Sequence, residues 1–110
     1  MQEVRTLSWI LYALDGASGS NGANCNAISE VADGINHAVP TQKEMNESLK
    51  WLSQNKLATK VGSYYMVTNE GKRLLTNARM HSDTVSGVWK ALTFQIEKIY
   101  GDPTADHLAR

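Results

Sequence analysis

The stretch that most limits the fold is residues 40–71, where the signal for a capped helix runs directly into two short strands. Thr41-Gln42-Lys43-Glu44 puts a hydroxyl at a helix cap and a carboxylate three residues on, so two otherwise unpaired backbone N–H groups are satisfied reciprocally. Pro40 just before it marks a sharp entry. Met45, Leu49 and Leu52 then recur at helical spacing, and Gln42, Lys43, Asn46, Glu47 and Lys50 share the outward arc. Asn55, a residue that tolerates the left-handed conformation helix ends often need, is expected as the stop. Two short runs, 57–61 and 64–68, flank Gly62-Ser63 in the pattern of a two-residue hairpin. That turn pairs Val61 with Tyr64, Lys60 with Tyr65 and Ala58 with Val67, and sends Ala58, Tyr65 and Val67 toward the core.

Upstream, Val4, Leu7, Ile10, Leu11 and Leu14 predict a core helix that ends at Asp15-Gly16. Residues 16–24, rich in Gly, Ser and Asn, read as a nine-residue loop, with residues 23–25 available as a short third strand beside the hairpin. A second helix starts at Asn24 or Asn26 as cap and presents Ile28, Val31, Ala32 and Ile35 on one side. Gly34 costs about 1 kcal/mol against alanine within a helix, which points to close packing or an early frayed end. Downstream of the hairpin, Thr68 caps a helix reaching about His81, with Leu74, Leu75 and Ala78 inward.

Residues 82–101 form a last amphipathic helix in which Val85, Val88, Trp89, Leu92, Ile96 and Ile99 share one broad stripe. The stripe is read as a homodimer interface; the alternative is that it folds back over the first helix of its own chain. Residues 102–110 read as a loose tail.

A chain of 110 residues fits one domain and buries enough surface to need no metal or disulfide staple. Its 42% hydrophobic and 20% charged content is ordinary for a globular protein. The single cysteine, Cys25, cannot form an internal bridge and is expected as a small buried hydrophobe. No secretion-signal pattern opens the chain and no apolar run approaches membrane-span length, so a cytoplasmic location without membrane contact is expected. Net charge is zero, yet it is unevenly placed. Residues 1–40 carry Arg5 against Glu3, Asp15, Glu30 and Asp33. Residues 41–81 carry Lys43, Lys50, Lys56, Lys60, Lys72, Arg73 and Arg79 against Glu44, Glu47 and Glu70.

The segments Asn55-Lys56-Leu57, Gly62-Ser63-Tyr64-Tyr65-Met66-Val67 and Thr68-Asn69-Glu70-Gly71 resemble the wing and following turn of the winged helix-turn-helix superfamily. The likeness runs over roughly residues 3–80 and is, in general terms, to bacterial regulators of the MarR and PadR types. It implies a mainly α domain with a small β-hairpin wing at 1–81, a recognition helix at 41–54, a wing at 57–68 and an added C-terminal helix. It also implies double-stranded DNA as partner, in transcription regulation, with Thr41 to Lys50 and Lys60 to Tyr64 at the contact.

The side chains fit that expectation chemically. Gln42 and Asn46 are suited to paired hydrogen bonds with adenine, Lys43 and Lys50 to guanine or phosphate, and Thr41, Lys60 and Tyr64 to the flanking backbone. A second reading is a winged-helix module for protein interaction or assembly, suggested by zero net charge and by Glu44 and Glu47 on the same helix. Catalysis is not expected: Cys25, His37, His81 and His107 form no nucleophile–base or metal-ligand spacing, and no phosphate-cradling loop is present. No cofactor or metal is implied. An effector pocket between the first and last helices is conceivable, with Trp9, Trp51 and Trp89 as walls, but no ligand is named.

Overall fold

A computed structural model describes residues 2–19 and 21–100. Among them are five helices, α1 Gln2–Ser18, α2 Cys25–Asn36, α3 Gln42–Gln54, α4 Asn69–His81 and α5 Val85–Tyr100, and one hairpin, β1 Ala58–Val61 with β2 Tyr64–Val67. The chain is mainly α with a small antiparallel β-hairpin, as the sequence predicts. None of the described helices is long and apolar enough to cross a membrane.

The core is organised on α1, which packs against α2, α3, α5 and β2. Val4, Leu7, Ile10, Leu11 and Leu14 are all buried, as are Trp9 and Ala13, so this helix is covered on most sides. The Trp9 indole donates to the Ala32 carbonyl at 2.9 Å, which satisfies its N–H inside the core and fixes α2 against α1. The helix does not stop at Gly16 as expected but runs on to Ser18. Gly16 lies against α2, where a Cβ would stand 3.0 Å from Val31 Cγ1, so packing on α2 overrides the weak local propensity of a glycine. The loop is correspondingly shorter than nine residues. Its end forms an isolated bridge, Ala23 exchanging two backbone hydrogen bonds with Tyr65 at 2.8 and 2.9 Å. That bridge is the expected third strand reduced to one residue.

Asn24 caps α2, its side chain accepting from Ala27 N at 2.9 Å. Cys25 follows at the first turn and is half-buried rather than enclosed. It stands a whole helix, about 18 Å at 1.5 Å per residue, from His37, whose left-handed backbone (φ 55°) closes α2. Cys25 and His37 therefore stand at opposite ends of α2. Gly34 is exposed within the last turn of α2, and nothing lies within 4 Å of where its Cβ would be, so close packing does not explain it.

The end of α3 shows a second departure from local expectation. Asn55 has φ −96°, and Lys56 takes the left-handed conformation instead, at φ 61°. Leu57 N donates to Leu52 O at 2.8 Å and Lys56 N to Ser53 O at 3.1 Å, the paired bonds of a Schellman end. Leu52 and Leu57 are both buried, supplying the apolar contact that accompanies such an end. Asn55 serves differently, its amide donating to Trp51 O at 2.9 Å.

The hairpin has the predicted register, Val61 with Tyr64, Lys60 with Tyr65 and Ala58 with Val67. Gly62 carries the positive φ (63°) and Ser63 does not, the arrangement of a type II′ turn. Ala58 and Val67 are buried and Tyr65 is half-buried on the same face. Thr68 then joins hairpin to helix. Its hydroxyl accepts from Gly71 N at 3.1 Å and donates to Lys56 O at 2.6 Å. Gly71 is buried in this junction, where a Cβ would collide with the Leu57 carbonyl oxygen and lie 2.7 Å from Val67 Cγ1.

Helix α5 packs on α1 and α4 of its own chain. Val88, Trp89, Leu92 and Ile96 are buried there, Ile99 is half-buried, and Val85 remains 50% exposed. Polar bonds reinforce the seat: Trp89 Nε1 donates to Arg5 O at 3.0 Å, and Gln95 Nε2 to Leu74 O at 2.9 Å. The Arg5 guanidinium stacks 4.0 Å from the centre of the Trp89 ring, and Arg79 of α4 bonds Asp15 of α1 at 2.6 Å. The stripe expected at a dimer interface is thus occupied by the chain itself. The expected tail, 102–110, lies outside the described residues.

Candidate nucleic-acid interface

The outward arc of α3 is built by two local devices and one tertiary one. The capping box is complete: Glu44 N donates to Thr41 Oγ1 at 3.0 Å, and Thr41 N to Glu44 Oε1 at 2.8 Å. The negative Glu44 also sits in the first turn, where the helix dipole favours it. Burial of Met45, Ser48, Leu49 and Leu52 against the interior then sets which way the helix faces.

The opposite side is left open. Gln42, Lys43, Asn46 and Lys50 are all exposed. Gln42, Asn46 and Lys50 follow one another at i, i+4 and i+8 along a single row, with Lys43 and Glu47 in the row beside it. The Gln42 amide lies 3.4 Å from Asn46 Oδ1, so the two amides steady each other while keeping donors and acceptors free. Lys43 and Lys50 form no ion pair with a carboxylate among the described residues. Thr41 is exposed, and its oxygen already accepts from Glu44 N, so its O–H and one further lone pair remain to be offered.

The hairpin flanks this helix, with β1 packed against α3. Its tip is exposed, Val61 and Tyr64 included. Lys60 is exposed as well, with its ammonium 5.6 Å from the centre of the Tyr65 ring across the strand pair. The fold thus brings Thr41, Gln42, Lys43, Asn46 and Lys50 onto one helix, and sets Lys60 and Tyr64 on the adjoining ribbon. Val85, Val88, Trp89, Leu92, Ile96 and Ile99 belong to the other side of the architecture, on α5.

A cleft of about 350 Å³ lies on the inner flank of α3, walled by α1 and by Tyr100 at the end of α5. Of the three tryptophans expected on a pocket wall, only Trp51 lines it. Trp9 and Trp89 instead pack together in the core, ring centres 6.3 Å apart. Ser48 and Tyr100, which also line the cleft, carry no signal in the sequence. A serine among leucines at helical spacing reads as a gap in the apolar stripe, and only the approach of α1 shows that space is left beside it. Comparison of the chain with known protein families, with curated proteins and with solved structures finds no match.

Proposed function

We propose that this protein is a winged helix-turn-helix DNA-binding regulator in which α3 is the reading helix and the β1–β2 hairpin the wing. The element order, α1, a bridge at Ala23, α2, α3 and then the hairpin, is compatible with that fold. One observation carries the reading: Gln42, Lys43, Asn46 and Lys50 all stay uncovered along one arc of a capped helix whose other side is buried. A helix of this diameter fits the major groove of B-form DNA. Amides and lysines in a row match the donor and acceptor pattern that groove displays. Lysines without protein partners are the groups that displace counterions from phosphates.

Binding to a pool of random duplex fragments, followed as salt is raised, tests the proposal. Affinity should fall steeply with salt. Replacing Lys43 and Lys50 together by alanine should lower it for all sequences and reduce the log–log salt slope by about 2. Replacing Asn46 by alanine should instead change which fragments are selected. Absence of binding at low salt overturns the reading.

A second reading, a winged-helix module that docks a protein, rests on Glu3, Glu44 and Glu47 around the cleft beside the same helix. A carboxylate-rimmed surface repels phosphates and favours a cationic partner. Capture of a protein that requires Glu47, together with no shift of duplex DNA, would favour it.

A further inference from the structure

We infer that the cleft between α1, α3 and the end of α5 is a binding site for a small organic cation with an apolar body, specifically an arylalkyl primary ammonium. Its volume, about 350 Å³, is within the range of small-molecule sites. The inference rests on the two aromatic rings, the Ser48 hydroxyl and the rim charges, and does not depend on DNA being bound.

The rings come first. Trp51 and Tyr100 stand with centres 5.7 Å apart and planes at 39°, an aromatic corner opening on the cleft. Elsewhere, Trp89, Tyr65, Tyr12 and Phe94 each carry a cation from the protein itself, Arg5, Lys60, Arg79 and Lys98 respectively. No described Lys or Arg covers Trp51 or Tyr100 in this way, so a cation from outside meets no competitor at these rings. Leu7 extends the apolar wall behind them.

The hydroxyl of Ser48 comes second. Ser48 is only 3% exposed, and it lines the cleft. Its hydroxyl forms no hydrogen bond among the described residues, whereas that of Ser8, buried in α1, bonds back to Val4 O at 2.8 Å. Unlike Ser53 Oγ, which is enclosed without a partner, the Ser48 oxygen opens on the cleft, where an ammonium N–H can reach it as donor.

Charge comes third. Glu3, Glu44 and Glu47 rim the opening, and none is paired with a Lys or Arg among the described residues. Glu44 is held in place by its bond from Thr41 N at 2.8 Å, which leaves its second oxygen to face a cation. Three carboxylates, an aromatic corner and an open hydroxyl together select a positive, N–H-bearing head joined to a flat apolar body. An anionic ligand is disfavoured by the rim.

The test is titration of the full chain, labelled at its tryptophan nitrogens, with 2-phenylethylammonium at low salt. The expected result is a saturable shift of the Trp51 indole N–H signal, with Trp9 and Trp89 unmoved. The neutral analogue 2-phenylethanol should bind about tenfold more weakly, the size of a lost cation–aromatic and charge contribution. Glu47→Gln lies on an exposed position and should keep the fold while weakening binding several-fold. Ser48→Ala should weaken 2-phenylethylammonium but leave its trimethylammonium analogue unchanged, since the latter has no N–H to give. The inference is overturned if the alcohol binds as tightly as the ammonium, if the indole signals that move are those of Trp9 or Trp89, or if both variants bind as the parent does. Since the readout is an indole signal without DNA, failure here leaves the duplex-binding experiment to stand or fall alone.

Discussion

Helices α3 and α5 carry the same kind of sequence pattern, an apolar stripe backed by polar residues, yet the fold uses them in opposite ways. In α3 the stripe of Met45, Leu49 and Leu52 is buried, and the polar arc is presented to solvent beside the hairpin. In α5 the stripe of Val88, Trp89, Leu92 and Ile96 closes the far side of the core, and the surface it leaves includes Val85, 50% exposed, and Phe94, 60% exposed beside Lys98. An apolar stripe therefore shows that a helix must be covered, without showing by what. The polar arc of α3 is informative for the converse reason. Nothing in the described chain covers it, so its residues are available for a partner.

The contrast can be broken most decisively at α5. Leu92 is fully buried within the chain, so Leu92→Ala should lower unfolding stability by about 2–5 kcal/mol in denaturant titration, the range for truncating a core leucine. Thermal midpoints of the parent should also be independent of protein concentration, because the stripe is covered without a second subunit. A midpoint that climbs with concentration would return α5 to the role of a dimer helix.

Gly71→Ala probes the junction that holds the hairpin beside α3. Its Cβ would meet the Leu57 carbonyl and Val67, neither a flexible chain end, and the expected loss is about 1–3 kcal/mol. Exchange protection of β1 and β2 should fall more than that of α5. Gly34→Ala samples a glycine with open space around it. Stability should rise there by about 0.5–1 kcal/mol, and a loss would mean that the α2 end is not helical in solution.

The smallest effect on the fold belongs to the arc itself. Lys43→Ala with Lys50→Ala should change unfolding stability by no more than about 0.5 kcal/mol, since both side chains are exposed and unpaired. The same variant is expected to lose affinity for duplex DNA. Stability and binding would then separate on one pair of residues, which is the sharpest form of the contrast between the two helices.

What could be read from the sequence was whatever a few neighbouring residues decide among themselves. The Thr41–Glu44 box, the Thr68 cap and the Gly62-Ser63 turn with its register are short-range hydrogen-bond problems, each solved as the chain suggests, and of the two caps open to α2, Asn24 or Asn26, the structure uses Asn24. The exposed arc of α3 follows from the same logic, because helical spacing alone separates Gln42, Asn46 and Lys50 from Leu49 and Leu52. Where the sequence misled, one cause was distant and the other local. Val31 of α2 packs against α1 at Gly16, within a helix that runs on to Ser18, and the paired backbone bonds from Lys56 and Leu57 to Ser53 and Leu52 place the left-handed residue at Lys56, not Asn55.

The cover over α5 and the cleft beside Trp51 were settled only in three dimensions. Both depend on where α1 passes relative to helices far from it in the chain, and hydrophobic burial is non-directional, so a stripe accepts any apolar surface that reaches it. Local bonds fix each element's start, stop and facing; only the packed arrangement chooses which faces meet and which stay open.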